Sequence, residues 1–547
     1  MPRTPLFALV RRSLRLAQSA LHTGHDPAEA VQRWYEGQAS RRAFLQASSM
    51  AAAGAALGAC AARKPAIGRP ASAEPVVVVG AGIAGLTAAW RLHQAGVPVR
   101  VLEAQDRVGG RMHSLRGHFA DGQVVELGGE LIDTGHEHLR ALCQELGLAL
   151  DDLAEETPGL ARDTWFFGGQ PRSEADVVEA FLPLAARMEA DLATLGEGDV
   201  TYRTPNGAET LDRMPLSAWF DRAGAGGWIR GLLEVAYATE YGLELDDQSS
   251  LNLLMMIDVK PEPFKVFGES DERFRVRGGN DLVPAALARG LGSRIETSTV
   301  LEAVGRSADG RLALTVRRGG SSHVVTSSYA VLALPFTLLR DVRIDVELPP
   351  AKRKAIDELG YGTNAKLMVG FSDRVWRTRH LTNGSLMSDL AFQTTWETSR
   401  HQAGRAGVLT NFTGARHGVD LGQGSAADQA AALVRDLEAV WPGVAAARAG
   451  QKEVRFHWPS HPWTRGSYAS YRVGQWTAIC GAEAEPVGRL HFAGEHCSLS
   501  AQGFMEGGCE TGEAAARAIL REMGIAKAAR SVTDVERQPP GPRALAV

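Results

Sequence analysis

The chain has 547 residues, of which 44% are hydrophobic and 22% are charged, and its net charge is −4. These values are typical of a large globular protein, exclude an intrinsically disordered chain and give no reason to expect a nucleic-acid partner. The length exceeds what one hydrophobic core commonly supports, so we expect two interleaved domains. None of the five cysteines forms a CxxC pair, and neither a metal site nor a disulfide framework is predicted.

The N-terminal region is predicted to direct export. SRRAFL at residues 40–45 precedes an uncharged, alanine-rich stretch that runs to Ala62, and this pattern resembles a twin-arginine signal. LGAC at residues 57–60 resembles a lipobox, which would make Cys60 a lipid anchor; a run of small residues that includes a cysteine is the alternative. Upstream, LVRRSLRLAQ has the pattern of a basic amphipathic helix. We therefore expect a periplasmic or membrane-anchored extracytoplasmic protein.

A dinucleotide-binding βαβ unit is predicted from residue 76. The run Val76 to Val79 is typical of a buried parallel strand, and it leads into Gly80, Gly82 and Gly85 at the spacing GxGxxG. These glycines permit a tight turn, the approach of backbone to a pyrophosphate, and close packing of the helix expected from residue 86 to residue 94. A second strand, VPVRVLE, ends in Glu103, whose carboxylate is suited to adenosine ribose hydroxyls.

The segment after Glu103 indicates which dinucleotide is bound. AQDRVGGRMHS contains the pair Gly109 and Gly110 beside Arg111. This resembles the GGR element of flavoproteins, in which the arginine faces the FAD pyrophosphate. The sequence therefore favours FAD over a nicotinamide cofactor.

Strand and helix patterns alternate through the rest of the chain. They predict an α/β (α+β) protein with a Rossmann-like FAD-binding domain of the glutathione-reductase type, interleaved with a substrate domain of mixed sheet and helices. A strand over residues 123–132 is expected to break at Gly128 and Gly129, and residues 173–260 are mostly helical in pattern. The predicted divisions are the leader 1–74, the FAD-binding domain 75–155, 272–345 and 450–525, the substrate domain 156–271 and 346–449, and a mobile tail 526–547.

The order of the motifs from residue 75 to residue 525 resembles the flavin-containing amine oxidase superfamily, which holds monoamine, polyamine and L-amino-acid oxidases. The motifs are GAGIAG, LEAQDRVGGR, ELGGELI, RVRGGNDLV, STVLEAV, VLALP, LGYGTNAKLMVGF, HPWTRGSYAS and FAGEHCSLSAQGFMEGG. The resemblance implies these FAD-binding residues: Gly80, Gly82, Ile83, Ala84, Gly85, Glu103, Ala104, Gly110, Arg111, Gly128, Gly129, Val300, Gly494, Glu495, Gly503, Phe504 and Met505.

The resemblance also implies three catalytic residues. Lys366 lies in an otherwise apolar strand, where an unpaired ammonium is costly to bury, and it matches the family lysine that holds a water against flavin N5. The alternative is that its ammonium reaches the surface. Tyr468 and Phe504 match the two aromatic positions that flank the substrate amine; the alternative is that both are ordinary core residues.

Two departures from the family bear on cofactor and substrate. Ser467 stands where some monoamine oxidases attach FAD through a cysteine, so a non-covalent FAD is expected. Glu130 stands where several L-amino-acid oxidases place a carboxylate-binding arginine. Glu130 would attract a second substrate cation, or it would be satisfied within the flavin shell. Arg273, Arg275, Arg465 and Arg472 are the candidates for a carboxylate partner.

The predicted reaction is the oxidative deamination of an L-amino acid or a related primary amine, by hydride transfer to flavin N5 and release of hydrogen peroxide. The alternatives are a monoamine or polyamine oxidase, an amine dehydrogenase that uses a quinone, a flavin desaturase or isomerase, and a flavoprotein without turnover. The expected partners are a small amine and oxygen or a quinone, with no nucleic acid, and the enzyme is expected to be a homodimer.

Overall fold

The computed structural model describes residues 74–154, 159–256, 271–448 and 450–525, together with 16, 17, 20, 24, 26–29, 31 and 32. The predicted export motif at residues 40–45, Cys60 and the C-terminal tail lie outside the described residues. Within the described part, no helix is long and apolar enough to cross a membrane.

The strands are labelled in chain order. They are β1 (Val76–Val79), β2 (Val99–Leu102), β3 (Ser114–Leu115), β4 (Val125–Glu126), β5 (Leu150–Asp152), β6 (Thr164–Phe167), β7 (Gln170–Arg172), β8 (Phe274–Val276), β9 (Ile295–Glu296), β10 (Thr299–Arg306), β11 (Leu312–Arg318), β12 (Ser321–Ser327), β13 (Ala330–Leu332), β14 (Arg343–Ile344), β15 (Ala365–Phe371), β16 (Leu386–Ser388), β17 (Thr394–Glu397), β18 (Gly407–Thr413), β19 (Glu453–His457) and β20 (Leu490–Phe492).

The α-helices from residue 83 onward are labelled in the same way. They are α1 (Ile83–Gln94), α2 (Glu137–Glu145), α3 (Glu174–Leu192), α4 (Glu209–Asp212), α5 (Leu216–Ala223), α6 (Gly227–Tyr241), α7 (Leu251–Leu254), α8 (Leu282–Leu291), α9 (Phe336–Leu339), α10 (Pro350–Glu358), α11 (Val375–Thr378), α12 (Ala415–Asp420), α13 (Ala426–Val440), α14 (Val444–Arg448), α15 (Trp476–Ile479) and α16 (Met505–Glu522).

A five-stranded parallel sheet carries the predicted βαβ unit. Its strand order is β20-β13-β1-β2-β9, and every pair in it is parallel. All four residues of β1 are buried, as expected for a strand covered on both faces. Helices α1 and α16 pack against each other on this sheet, and α1 begins directly beyond the carboxyl end of β1. Ligands of open parallel sheets bind at this edge.

A second sheet has seven strands. Its order is β19-β15-β18-β17-β16-β6-β7, and all its pairs are antiparallel except β16 with β6. Strand β15 lies between β18 and β19 and is buried along its whole length. A cluster of helices, with α3, α5 and α6 at its centre, packs against β6. The fold is thus a mixture of sheets and helices, whereas the predicted domain boundaries stay predictions.

Two predicted elements differ from the structure at their ends. Helix α1 begins at Ile83 rather than at Leu86, so Gly85 lies inside the helix and its missing side chain lets Gly80 approach. The strand expected over residues 123–132 is reduced to β4, because the chain turns at Gly128 to approach Arg111. A Cβ at residue 128 would lie 1.8 Å from the Arg111 carbonyl oxygen.

The contact between α1 and α16 supplies a stability prediction. An ideal Cβ at Gly512 would lie 2.3 Å from the carbonyl oxygen of Ala84, so Gly512→Ala should force the two helices apart. We expect a loss of about 1–3 kcal/mol in the free energy of unfolding, measured by urea titration. Gly226→Ala is the matched control, since a Cβ there meets nothing within 4 Å. Equal midpoints for the two variants would contradict close helix packing.

Candidate active site

One long cavity connects the two sheets. Its empty volume, including the open mouth, is about 1560 Å³. Most of the predicted cofactor residues line it: Gly80, Gly82, Ile83, Ala84, Glu103, Ala104, Gly110, Arg111, Gly128, Gly129, Gly494, Glu495, Gly503, Phe504 and Met505. Lys366, Tyr468 and Glu130 line it as well. Gly85 and Val300 do not; Gly85 is a packing residue of α1, and Val300 lies on β10 beside Thr299, whose amide donates to the Glu103 carbonyl at 2.8 Å.

The amino end of α1 forms one end of this cavity. Gly82 is the N-cap, no side chain caps the helix, and its first turn holds no acidic residue. The free N–H groups and the helix dipole therefore suit an anion. A Cβ at Gly82 would meet nothing within 4 Å, so the backbone there is open to a ligand. These features fit the pyrophosphate of the FAD that the sequence predicts.

Glu103 lies at the end of β2, as predicted, and its carboxylate is held by backbone. One oxygen accepts from the amide of Ala81 at 2.6 Å and the other from the amide of Gln105 at 2.9 Å. Burial raises the pKa of Glu103, and these hydrogen bonds only partly oppose that effect. The carboxylate retains further lone pairs that ribose hydroxyls could use.

Three motifs that are far apart in sequence meet at Glu495. One of its oxygens pairs with the Arg111 guanidinium at 2.7 Å and accepts from the Ala469 amide at 3.1 Å. The other accepts from the Gly503 amide at 2.7 Å. The same Arg111 guanidinium donates to the Ser467 carbonyl at 2.8 Å. The GGR turn, the loop that carries Tyr468 and the loop that carries Phe504 are therefore joined by one carboxylate.

Lys366 is buried in β15 and does not reach the surface. Its ammonium donates to the carbonyl of Gly128 at 2.8 Å, to the carbonyl of Glu126 at 3.2 Å and to the carboxylate of Glu130 at 2.8 Å. The ring of Trp396 lies 5.3 Å from the same nitrogen. The position against the cavity agrees with the predicted place of the catalytic lysine, while its role stays a prediction.

Glu130 is satisfied within the protein. One oxygen pairs with Lys366, and the other accepts from the Thr398 hydroxyl. Burial pushes the pKa of Glu130 upward, but Lys366 and Thr398 outweigh it and hold the pKa below its usual range. This geometry agrees with the interpretation of Glu130 as a carboxylate satisfied by neighbouring groups, whereas its relation to the flavin stays a prediction.

The predicted aromatic pair lies in the same cavity. The Tyr468 hydroxyl donates to the Glu240 carbonyl at 2.8 Å, in the last turn of α6. Phe504 is the N-cap of α16 and its ring contacts the buried ring of His136 edge to face, at 5.1 Å between centroids. Ser467 is buried, and its hydroxyl donates to Asn364 at 2.7 Å.

The four arginines proposed as carboxylate partners do not line the cavity. Arg273 pairs with Asp152, and Arg465 pairs with Asp341. Arg275 is buried and donates to the carbonyls of Thr398 and Arg400, so it supports a loop. Arg472 likewise lies outside the lining of the cavity. The sequence offered no means to sort these residues, because their neighbours lie far away along the chain.

Several residues that line the cavity were not identified by sequence reasoning, among them two acidic and two aromatic residues. Asp133 and Glu272 bring two more carboxyl groups to the cavity, where the Glu272 amide donates to Asp133 at 2.8 Å. Trp396 and Phe412 line it from β17 and β18. Phe412 is the direct cross-strand partner of Lys366. The signal that could have found it is strand pairing, which a single sequence does not show.

Comparisons with known proteins place the chain among flavoenzymes. Residues 83–520 match the family described as flavin containing amine oxidoreductase. An L-amino acid dehydrogenase of Synechocystis sp. is 26% identical over 82% of this chain and 96% of its own length. Flavin-containing amine oxidase A of Sus scrofa is 24% identical over 82% of this chain and 85% of its own.

Solved structures share the fold. Cyclohexylamine oxidase from Brevibacterium oxydans aligns with a TM-score of 0.71 at 22% identity, over 82% of this chain and 99% of that one. Wild-type putrescine oxidase bound to putrescine aligns with a TM-score of 0.69 at 23% identity and the same coverage.

The cavity lining predicts how FAD is held. Among the residues the structure describes, no cysteine lines the cavity, and Ser467 cannot form a thioether. The purified protein should be yellow, and denaturation should release FAD into the supernatant, as measured by its absorbance and fluorescence. Colour that stays with the precipitated polypeptide would contradict non-covalent binding.

The Lys366 and Glu130 pair predicts a strong energetic coupling. Lys366→Met and Glu130→Gln should each destabilise the protein by about 3–5 kcal/mol, because each leaves an uncompensated buried charge. The double variant should lose less than the sum of the two, as measured by urea unfolding. Lys354→Met is the control, since Lys354 is exposed and lies 3.9 Å from Glu358, a pair expected to contribute little. Additive losses would rule out a coupled pair.

Proposed function

Because the chain belongs to the flavin containing amine oxidoreductase family, whose cofactor is FAD, we propose that it catalyses the oxidative deamination of a primary amine with a second cationic group. The observation that carries the proposal is the presence of two carboxyl groups, those of Asp133 and Glu272, in the lining of the cavity. The arginine and the lysine of the same lining are already paired within the protein.

The cationic side chains that line the cavity already form ion pairs within the protein. Among the described residues that line the cavity, Arg111 is the only arginine and Lys366 is the only lysine. Arg111 binds Glu495, and Lys366 binds Glu130 together with two carbonyl groups. A substrate carboxylate would have to compete with these buried contacts, which favours an amine that lacks a carboxylate beside the reacting carbon.

The carboxyl groups favour a substrate cation. Burial, together with the charges of Asp133 and Glu240, raises the pKa of Glu272 well above its usual range. A bound ammonium would oppose this effect and favour the ionised carboxylate. Putrescine oxidase, one of the structures with the same fold, is a relative whose substrate carries two amines. This supports a diamine-like substrate.

FAD and the residues of the cavity have different roles in the proposed reaction. FAD, when bound, supplies the acceptor for a hydride from the carbon that bears the amine. Tyr468 and Phe504 confine that carbon between aromatic faces and exclude water. The hydrogen bond of Tyr468 to α6 keeps its ring in place. Water then hydrolyses the imine product to an aldehyde and ammonia, and oxygen is the proposed final acceptor, which would yield hydrogen peroxide.

Three further parts of the proposal concern the FAD-binding domain, the route of export and an alternative substrate. We assign the five-stranded parallel sheet to an FAD-binding domain of the glutathione-reductase type, supported by the βαβ unit at residues 76–102. Export by the twin-arginine route is supported by the resemblance at residues 40–45 alone. L-Amino-acid oxidation is the second candidate activity, and the 26% identity to an L-amino acid dehydrogenase favours it.

A substrate panel tests the proposal. Diamines should reduce the flavin with higher kcat/KM than alkyl monoamines or neutral L-amino acids. A desolvated contact between a carboxylate and an ammonium is worth about 1.5–3 kcal/mol, so Glu272→Gln should narrow the preference for diamines by about ten- to a hundredfold. Anaerobic flavin bleaching and peroxide release are the measurements, and a quinone dye tests the alternative acceptor.

The control for this variant is Glu347→Gln, because Glu347 is exposed and does not line the cavity. It should leave the ratio of kcat/KM values between diamines and monoamines unchanged. A uniform loss on all substrates in Glu272→Gln would signify a disturbed flavin site instead. Preferential oxidation of neutral L-amino acids by the unaltered enzyme would favour the second candidate.

A further inference from the structure

The described residues near the N-terminus are buried in the helical region of the enzyme. Leu16, Ala17 and Ala20 are only 4%, 0% and 3% exposed. Leu16 and Ala17 belong to the same apolar cluster as residues of α3, α5 and α6. Val31 packs against this cluster from further along the chain. Side chains of the region predicted as a leader therefore form part of a core.

The described residues of this segment divide into a buried part, at residues 16, 17 and 20, and a later exposed part, at residues 28 and 29. Residues 16, 17 and 20 are helical, and their spacing places them on one helix face. Ala28 and Glu29, by contrast, are exposed, and the Ala28 amide is capped by the Asp26 carboxylate at 2.8 Å. Of residues 9–18, the two that the structure describes, Leu16 and Ala17, are buried in the enzyme.

The same apolar cluster contains part of α6, and the last turn of α6 contacts a residue of the active-site cavity. The apolar cluster includes Leu232, Leu233 and Ala236 of α6. The carbonyl of Glu240, in the last turn of α6, accepts the hydroxyl hydrogen bond of Tyr468. The N-terminal segment thereby supports the helix that positions an aromatic residue of the cavity.

We propose that the N-terminal segment that carries Leu16, Ala17, Ala20 and Val31, which we call the N-terminal brace, is a permanent part of the folded enzyme, and that the brace stays bound when the chain is cut between it and residue 74. The predicted export motif at residues 40–45 and Cys60 follow the brace in the chain. This inference rests on burial and is independent of the proposed substrate.

The first test compares two alanines of the brace in the full chain with FAD bound. Ala17→Glu places a charge at a fully buried position, whereas Ala28→Glu places the same charge at an exposed one. We expect Ala17→Glu to lower Tm by several degrees and increase the binding of an apolar fluorescent dye, and Ala28→Glu to change neither. Equal Tm values for the two variants would overturn the inference. Should Ala17→Glu fail to fold, Leu16→Ala replaces it, with a lowered Tm expected from the cavity that it creates.

The second test cuts the chain. A recognition site for a sequence-specific protease is inserted between residues 63 and 73, and the purified holoenzyme is cleaved and passed over a size-exclusion column. The N-terminal fragment should co-elute with the enzyme, and it should separate when the cleaved protein carries Leu16→Ala together with Ala17→Glu. Separation of the unaltered fragment, with an unchanged Tm of the remaining enzyme, would overturn the proposal.

Discussion

The carboxylate of Glu495 is the contact on which the geometry of the site depends. It accepts the Arg111 guanidinium, the Ala469 amide and the Gly503 amide. The amides belong to residues directly beside Tyr468 and Phe504, so one buried group sets the relative position of both aromatic side chains. Because the same group binds the arginine of the GGR turn, the aromatic pair is also held in register with the dinucleotide end of the cavity.

Charge is distributed unevenly along the cavity. The free amides of α1 provide positive potential where a dinucleotide would bind, whereas the guanidinium of Arg111 is already paired. Lys366 and Glu130 neutralise each other, so this buried pair adds no net charge to the lining. Asp133 and Glu272 add two carboxyl groups, which the proposed substrate cation would meet.

The helical region is tied to the chemistry through its backbone. The last turn of α6 offers carbonyl groups that cannot be satisfied within the helix, and Tyr468 uses one of them. Apolar packing of α6 in the helical cluster then helps to determine where that carbonyl lies. A change in this packing, far from the cavity, would move the aromatic wall with little effect on the dinucleotide end.

The sequence by itself determined the βαβ unit and the identity of the lining residues that lie in glycine-rich motifs. These features depend on local backbone preference and on the spacing of glycines, and both are visible along the chain. Only the tertiary structure decided which groups Lys366 and Glu130 bind. It also decided that Asp133 and Glu272 lie side by side in the cavity. Their contacts join residues more than a hundred positions apart, as between Lys366 and Glu130 or between Asp133 and Glu272. Such contacts depend on how strands and loops are brought together in space, and local preference does not encode that.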